Sequence, residues 1–139
     1  MRMKETWTYL QVVIATIGGW VGWILGGHDG FLYALIAFVV LDYCTGIMRA
    51  ILERQLSSEI GAKGIFKKVL IFFLVGVAHI IDSQVFGEGK TLRTAVIFFY
   101  LSNEGISIIE NAAKIGLPIP KKLKDVLVQL KVKEEDDDK

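Results

Sequence analysis

Four long apolar runs, separated by charged or glycine-rich segments, constrain the fold of this chain more than any other feature. They cover approximately residues 9–25, 31–49, 68–86 and 94–112. A helix that crosses the hydrocarbon core of a bilayer needs roughly 20 mostly apolar residues, and each run approaches that length. The sequence therefore predicts an all-α membrane protein with about four transmembrane helices, in one domain that spans residues 1–133.

The distribution of lysine and arginine predicts how these helices are oriented. Arg2 and Lys4 precede the first run within a few residues, and basic residues are frequent between the second and third runs and after the fourth. The other two connections are poor in them, with only Lys90 and Arg93 in the connection between runs three and four. Because basic loops stay on the cytoplasmic side, this alternation predicts a multi-pass protein with both termini in the cytoplasm.

Glycines in the first run recur at a spacing that is typical of closely packed membrane helices. Gly18, Gly22 and Gly26 are four residues apart, and small residues at this spacing let two helix backbones approach in lipid. We predict that they form a packing face, either between copies of the chain or within one copy. Three of the five residues in segment 26–30 are also glycine, which predicts a tight turn and an antiparallel hairpin of the first two helices.

Polar side chains share one helical face in the second run and another in the fourth. In the second run, Asp42 is followed one turn later by Thr45 and Gly46 and two turns later by Arg49, all on the same face. The residues of the fourth run that form such a stripe are Tyr100, Asn103, Glu104, Ser107 and Asn111. A polar stripe in a membrane helix must be covered by protein or water. It is either buried within one subunit, or covered by neighbouring subunits and later exposed to a water-filled lesion.

Two further segments predict contact with the membrane surface. Lys67 and Lys68 end a lysine-containing connection that we expect at the cytoplasmic surface. After Pro120, approximately residues 120–133 have the apolar period of an amphipathic helix, and the lysines on its polar side are Lys121, Lys122 and Lys124. Such a helix suits an anionic membrane surface. The charge run at residues 134–139 predicts a disordered acidic tail.

Composition argues against most catalytic and nucleic-acid functions. The chain has a single cysteine, two histidines and a net charge of +1. We therefore predict no metal site, no cofactor and no nucleic-acid partner.

Four local patterns together resemble the toxin secretion/phage lysis holin family, which includes phage holins of Gram-positive hosts. They are Asp42-x-x-Thr45-Gly46, Ser57-Ser58-x-x-Gly61-x-x-Gly64-x-x-Lys67-Lys68, Asn103-Glu104-x-x-Ser107-Ile108-x-Glu110-Asn111, and Gly116-Leu117-Pro118-Ile119-Pro120 followed by Lys121, Lys122 and Leu123. The resemblance implies a non-enzymatic protein of the bacterial cytoplasmic membrane that forms homo-oligomers and permeabilises the membrane at a set time. An endolysin or a toxin then leaves the cell, and an antiholin is a further partner that the family implies.

Two other functions stay open on the sequence alone. The first is a small proton-coupled exporter, for which Asp42 and Glu104 are the candidate carboxylates. The second is a membrane scaffold that binds a partner through the lysine-rich C-terminal helix.

Overall fold

The computed structural model describes the backbone of residues 2–137 and the side chains of residues 2–129. It contains five helices, which are α1 (Arg2–Ile24), α2 (Gly30–Leu52), α3 (Ser58–Ile80), α4 (Thr91–Ile115) and α5 (Lys121–Asp137). A π-helical turn, Ile81–Val85, continues α3. Four helical segments are long and apolar enough to cross a membrane. The predicted all-α fold with four spans is therefore confirmed.

Helix α3 begins earlier than predicted, at Ser58 rather than near residue 68. The Ser57 hydroxyl accepts a hydrogen bond from the Ile60 N–H at 3.2 Å and so caps the first turn. The first turns of α3 are polar. For this reason the sequence analysis assigned them to a connection at the membrane surface and not to a spanning helix. As a result, Gly61 and Gly64 lie inside a helix that faces α2.

The glycine turn between α1 and α2 forms as predicted, but the hairpin does not. Gly26 and Gly27 have φ values of +90° and +96°, which glycine adopts without strain, and the Asp29 carboxylate caps α2 at the Leu32 N–H. Among the described residues, α1 packs against α3 and not along α2. The contact lies at the end of α1, where Ile24 approaches Gly76. Most of α1 is therefore exposed.

The core lies between α2, α3 and α4. Its buried side chains are Leu25, Leu32, Leu35, Val39, Ile71, Val75 and Ile97. Helix α2 makes its most extensive contact with α4. Packing in lipid depends on close van der Waals contact, so this interface is the main support of the bundle.

Helix α5 folds back along α4. Gly116 ends α4 with a left-handed φ of +112°, and the buried Leu127 side chain of α5 contacts α4 at Gly105. The backbone of α5 is helical as far as Asp137 and so enters the acidic tail. Residues 138–139 lie outside the described residues, and disorder of the tail stays a prediction.

Candidate functional site in the bundle interior

A cluster of charged side chains joins α2, α3 and α4 inside the bundle. The Lys68 ammonium of α3 forms ion pairs with Asp42 of α2 and with Glu104 of α4. It donates to the Glu104 carboxylate oxygens at 2.6 Å and 2.9 Å. Asp42 and Glu104 are each only 6% exposed. Two buried carboxylates therefore share one cation.

Polar contacts extend the cluster towards the C-terminal end of α2. The Asn111 amide donates to Asp42 Oδ1 at 3.2 Å and to the Thr45 hydroxyl at 3.1 Å. The Arg49 guanidinium makes a long contact of 3.5 Å with Asn111 Oδ1. Arg49 itself is paired with Glu53 at 3.1 Å, one turn further along α2. Arg49 therefore touches the cluster only through Asn111.

The cluster lies well inside the membrane-spanning segments. At about 1.5 Å per residue, Asp42 is roughly 18 Å from the start of α2 at Gly30, and Glu104 is roughly 20 Å from the start of α4 at Thr91. Unpaired charges at such depth are costly, and ionisable groups in spans face the interior and pair with each other. The shared lysine therefore ties three helices together at this level.

Two glycines of α3 lie against Tyr43 of α2, one residue along α2 from Asp42. The Tyr43 hydroxyl of α2 donates to the Gly61 carbonyl at 3.3 Å. A Cβ at Gly64 would lie 3.3 Å from the Tyr43 ring, so a side chain there would push α3 away from α2. A Cβ at Gly61 would lie 3.6 Å from the Tyr43 hydroxyl, which is an ordinary contact. Of the glycines in the second sequence pattern, Gly64 thus has the tighter packing against α2.

The structure brings together most of the polar residues predicted from the second and fourth runs. Asp42, Thr45, Glu104 and Asn111 meet in the cluster, and a Cβ at Gly46 would lie 3.7 Å from the Asn111 amide. The other members of the α4 stripe are half-buried, and these are Tyr100, Asn103 and Ser107. Within one subunit, the stripe is covered at Glu104 and Asn111 and only partly covered elsewhere. The functional role of these residues stays a prediction.

Lys68 corrects the prediction of a basic membrane surface. Its ammonium lies between two carboxylates of the interior, and not at the surface. One sequence signal could have indicated this, because Lys68 directly precedes the apolar run 69–78 of α3 and a charge there needs a partner. The remaining lysines of that prediction are exposed, and these are Lys67, Lys121, Lys122 and Lys124. Whether those four contact lipid headgroups stays a prediction.

The glycines at positions 18, 22 and 26 do not form one continuous helical face. Helix α1 ends at Ile24, so Gly26 belongs to the turn. A Cβ at Gly22 would meet the His28 ring, which occupies this position within the same subunit. Gly18 has no atom within 4 Å of a Cβ placed on it. Of the three, Gly18 is thus the one that is open to another helix.

The two ends of this glycine series are expected to respond differently to alanine. At Gly26, the new Cβ would lie 2.7 Å from Arg93 Nε and from His79 Nδ1, at a positive φ. Gly26→Ala should therefore lower the free energy of unfolding by about 1–3 kcal/mol, whereas Gly18→Ala, at an open position inside α1, should leave it unchanged or raise it by up to about 1 kcal/mol. Unfolding of the detergent-solubilised protein, followed by circular dichroism, measures both values. Equal effects would contradict the assigned turn geometry.

A second polar cluster, which the sequence analysis did not predict, lies at the opposite end of the bundle. The buried Arg93 guanidinium donates to the Leu25 carbonyl at 2.6 Å, to the Gly27 carbonyl at 2.9 Å and to Asp29 Oδ2 at 2.7 Å. The Asp82 carboxylate accepts the Arg93 backbone N–H at 2.8 Å and so caps α4. Arg93 therefore fastens the α1–α2 turn to the start of α4.

The stability of the fold should depend on pH through Asp29, which lies outside the membrane-spanning segments. Burial alone raises its pKa, but the hydrogen bonds from Arg93 and the Leu32 N–H, with the charge of Arg93, hold the pKa below its ordinary value of 3.8. A carboxyl whose folded pKa is depressed contributes stability above its unfolded pKa and loses it as pH falls through the folded pKa. We expect Asp29→Asn to lower the midpoint of thermal unfolding at pH 7 and to have a progressively smaller effect as the pH falls below the ordinary carboxyl pKa of 3.8 and through the depressed folded pKa. A difference that is constant with pH would contradict this.

Four spans and an interior ion cluster define a small multi-span helical membrane protein. In the described part of the chain, no group of His, Cys, Asp and Glu is placed to hold a metal ion. The model of the bacteriophage holin family matches residues 19–132. The chain belongs to this family.

The chain is also similar to individual bacterial and phage proteins. The chain is 41% identical over 128 residues to an "Uncharacterized 14.9 kDa protein in nagH 3'region" of Clostridium perfringens, covering 92% of this chain and 97% of the relative. It is 40% identical over 129 residues to the Listeria innocua protein Lin0175, covering 93% and 91%. A Bacillus phage phi105 protein named "Probable holin" is 36% identical over 114 residues, covering 82% of each chain. No solved structure matches this chain.

Proposed function

We propose that this protein is a holin, which oligomerises in the bacterial cytoplasmic membrane and permeabilises it at a set time. The observation that carries the proposal is the family match over residues 19–132, together with the name of the phage phi105 relative. An endolysin or a toxin would leave the cell through the lesion. The role is non-enzymatic, because its action is to open a path through the membrane.

The interior cluster supports a transition between two assemblies. Glu104 and Asn111 are buried against α2 and α3, whereas Asn103 and Ser107 of the same helix are only half-buried. We call these two half-buried residues, Asn103 and Ser107, the margin of α4. In the first assembly, neighbouring subunits cover the margin of α4. In the second assembly, the subunits rearrange and the margin of α4 faces water in the lesion. Two arrangements of similar free energy would allow a sharp, delayed transition.

Helix α1 supplies a surface for self-association in this proposal. Most of α1 is exposed within one subunit, and space around Gly18 is open. Both termini lie in the cytoplasm, as the distribution of basic residues predicts. An endolysin or toxin depends on the lesion without binding the chain, and an antiholin would act on the assembly.

Inducible expression in a bacterium tests the proposed function. Growth, membrane potential and release of a cytoplasmic enzyme are followed together after induction. A holin gives an abrupt and delayed loss of growth and of membrane potential, with release of the enzyme at the same time, and an uncoupler brings this moment forward. Steady growth with the protein present in the membrane would contradict the proposal and favour an exporter that uses Asp42 and Glu104, or a scaffold.

The margin of α4 is expected to set the time of lysis. Replacing Asn103 with valine and Ser107 with alanine keeps the Lys68–Glu104 ion pair but removes the polar groups that would line water. We expect the double variant to accumulate in the membrane and to delay lysis, or to abolish it. Ser102→Ala is the matched control, since the Ser102 hydroxyl donates to the Phe99 carbonyl of its own helix at 2.8 Å. Equal lysis times for wild type and double variant would refute this mechanism.

A further inference from the structure

The interior cluster contains one more acidic group than basic groups. Asp42 and Glu104 supply two carboxylates, and Lys68 supplies the one ammonium that contacts both of them. Arg49 does not balance the second carboxylate, because its guanidinium is paired with Glu53 and reaches the cluster only through the Asn111 amide. With all three groups ionised, the cluster would carry one uncompensated negative charge.

Within the described residues, the surroundings of the cluster offer a neutral donor, the Asn111 amide at 3.2 Å from Asp42 Oδ1, but no second cation in contact with either carboxylate. Beside Lys68, the groove between α2 and α3 is lined by Val39, Val40, Tyr43, Ile65, Val69 and Phe72. On the other side, Phe38 of α2 and Leu127 of α5 cover α4 at Gly105. Other charged groups on the packed helices, such as Lys67 and Glu110, are exposed. An uncompensated charge inside a membrane span is costly, and such a site usually becomes neutral.

We propose that the cluster is a proton-binding site which holds one proton per subunit within the membrane. One carboxylate takes a proton from water and becomes a carboxylic acid, while Lys68 stays an ammonium and pairs with the other carboxylate. The protonated cluster is then neutral. Because the two carboxylates share one lysine, the proton belongs to the pair and not to Asp42 or Glu104 alone.

Loss of this proton would favour opening of the bundle. Transfer of the proton to water restores the uncompensated negative charge. Water can solvate this charge only if it enters the bundle, which requires the helices to separate. Proton release and hydration of the bundle are therefore coupled, so the site would regulate lesion formation. This coupling rests on the proposed function, whereas the number of bound protons does not.

Infrared spectroscopy of the full chain in lipid vesicles counts the bound protons. At pH 7, the carbonyl band of protonated carboxyl groups should correspond to one group per subunit in the wild type. Glu104→Gln and Asp42→Asn should each abolish the band, because the remaining carboxylate then pairs one-to-one with Lys68. Glu110→Gln, at an exposed carboxyl of α4, should keep the band of one group.

The amide side chains of both test variants have the shape of a protonated carboxyl group, and circular dichroism checks that each variant is folded. If only one of the two variants folds, that variant alone is enough to test the number of bound protons. Absence of the band in the folded wild type, or its persistence in a folded Glu104→Gln or Asp42→Asn variant, would overturn the proton site. A wild type that keeps the band but never permeabilises the membrane would instead refute the proposed function and leave the proton site intact.

Discussion

Replacing Lys68 with methionine is expected to lower the free energy of unfolding by about 3–5 kcal/mol. Methionine keeps the length and apolar stem of the side chain but removes the ammonium that pairs with Asp42 and Glu104. Asp42 and Glu104 then lose the cation that they share, and the direct connection of α3 with α2 and α4 at this level is lost. Unfolding of the purified protein in mixed micelles, followed by circular dichroism, measures the change.

Lys67→Met is the matched control for this prediction. Lys67 is the preceding residue of α3 and carries the same charge, but its side chain is exposed. We expect its replacement to change the free energy of unfolding by less than about 0.5 kcal/mol. If the two variants are equally stable, the ion cluster does not hold the three helices together.

Arg93→Met is the second change with a large expected effect, again about 3–5 kcal/mol of unfolding free energy. The Arg93 side chain is fully buried. Its loss leaves the Leu25 and Gly27 carbonyls without their donor and breaks the ion pair with Asp29. Buried groups that lose their partners keep the full desolvation cost. The α1–α2 turn should then separate from α4, which faster amide hydrogen exchange in that turn would reveal.

Arg54→Met provides the control, because Arg54 is an exposed arginine in the connection after α2. It should leave both the free energy of unfolding and the exchange of the α1–α2 turn close to wild type. Arg93→Lys adds a further distinction, since lysine keeps the charge but not the planar fork that serves three acceptors. Recovery of full stability by lysine would show that charge alone, and not the fork, holds the turn.

The sequence predicted the fold well because membrane spans are determined by local composition. An apolar run has to form a helix in lipid, where each backbone polar group needs a partner within its own segment. The start of α3 was placed wrongly for the same reason. Its first turns contain Lys63, Lys67 and two glycines, and composition alone does not show that a neighbouring helix covers the glycines.

The site was only partly predictable. Asp42, Glu104 and Asn111 were recognised because a polar residue in a span needs cover. Lys68 was assigned to the surface and Arg93 was counted only as a loop charge, although both lie in the interior. Helical spacing relates residues within one helix. The pairing of Lys68 with carboxylates of two other helices depends instead on how α2, α3 and α4 pack.

The sequence by itself thus determined the number of spanning helices, the turn at the glycines after α1 and the polar faces of α2 and α4. Only the tertiary structure decided which charges pair, that α1 stays largely apart from the bundle, and that α5 returns along α4. The physical reason is one of range. Hydrophobicity and backbone conformation act within a segment, whereas an ion pair such as Lys68–Glu104 exists only when two distant segments approach within hydrogen-bond distance.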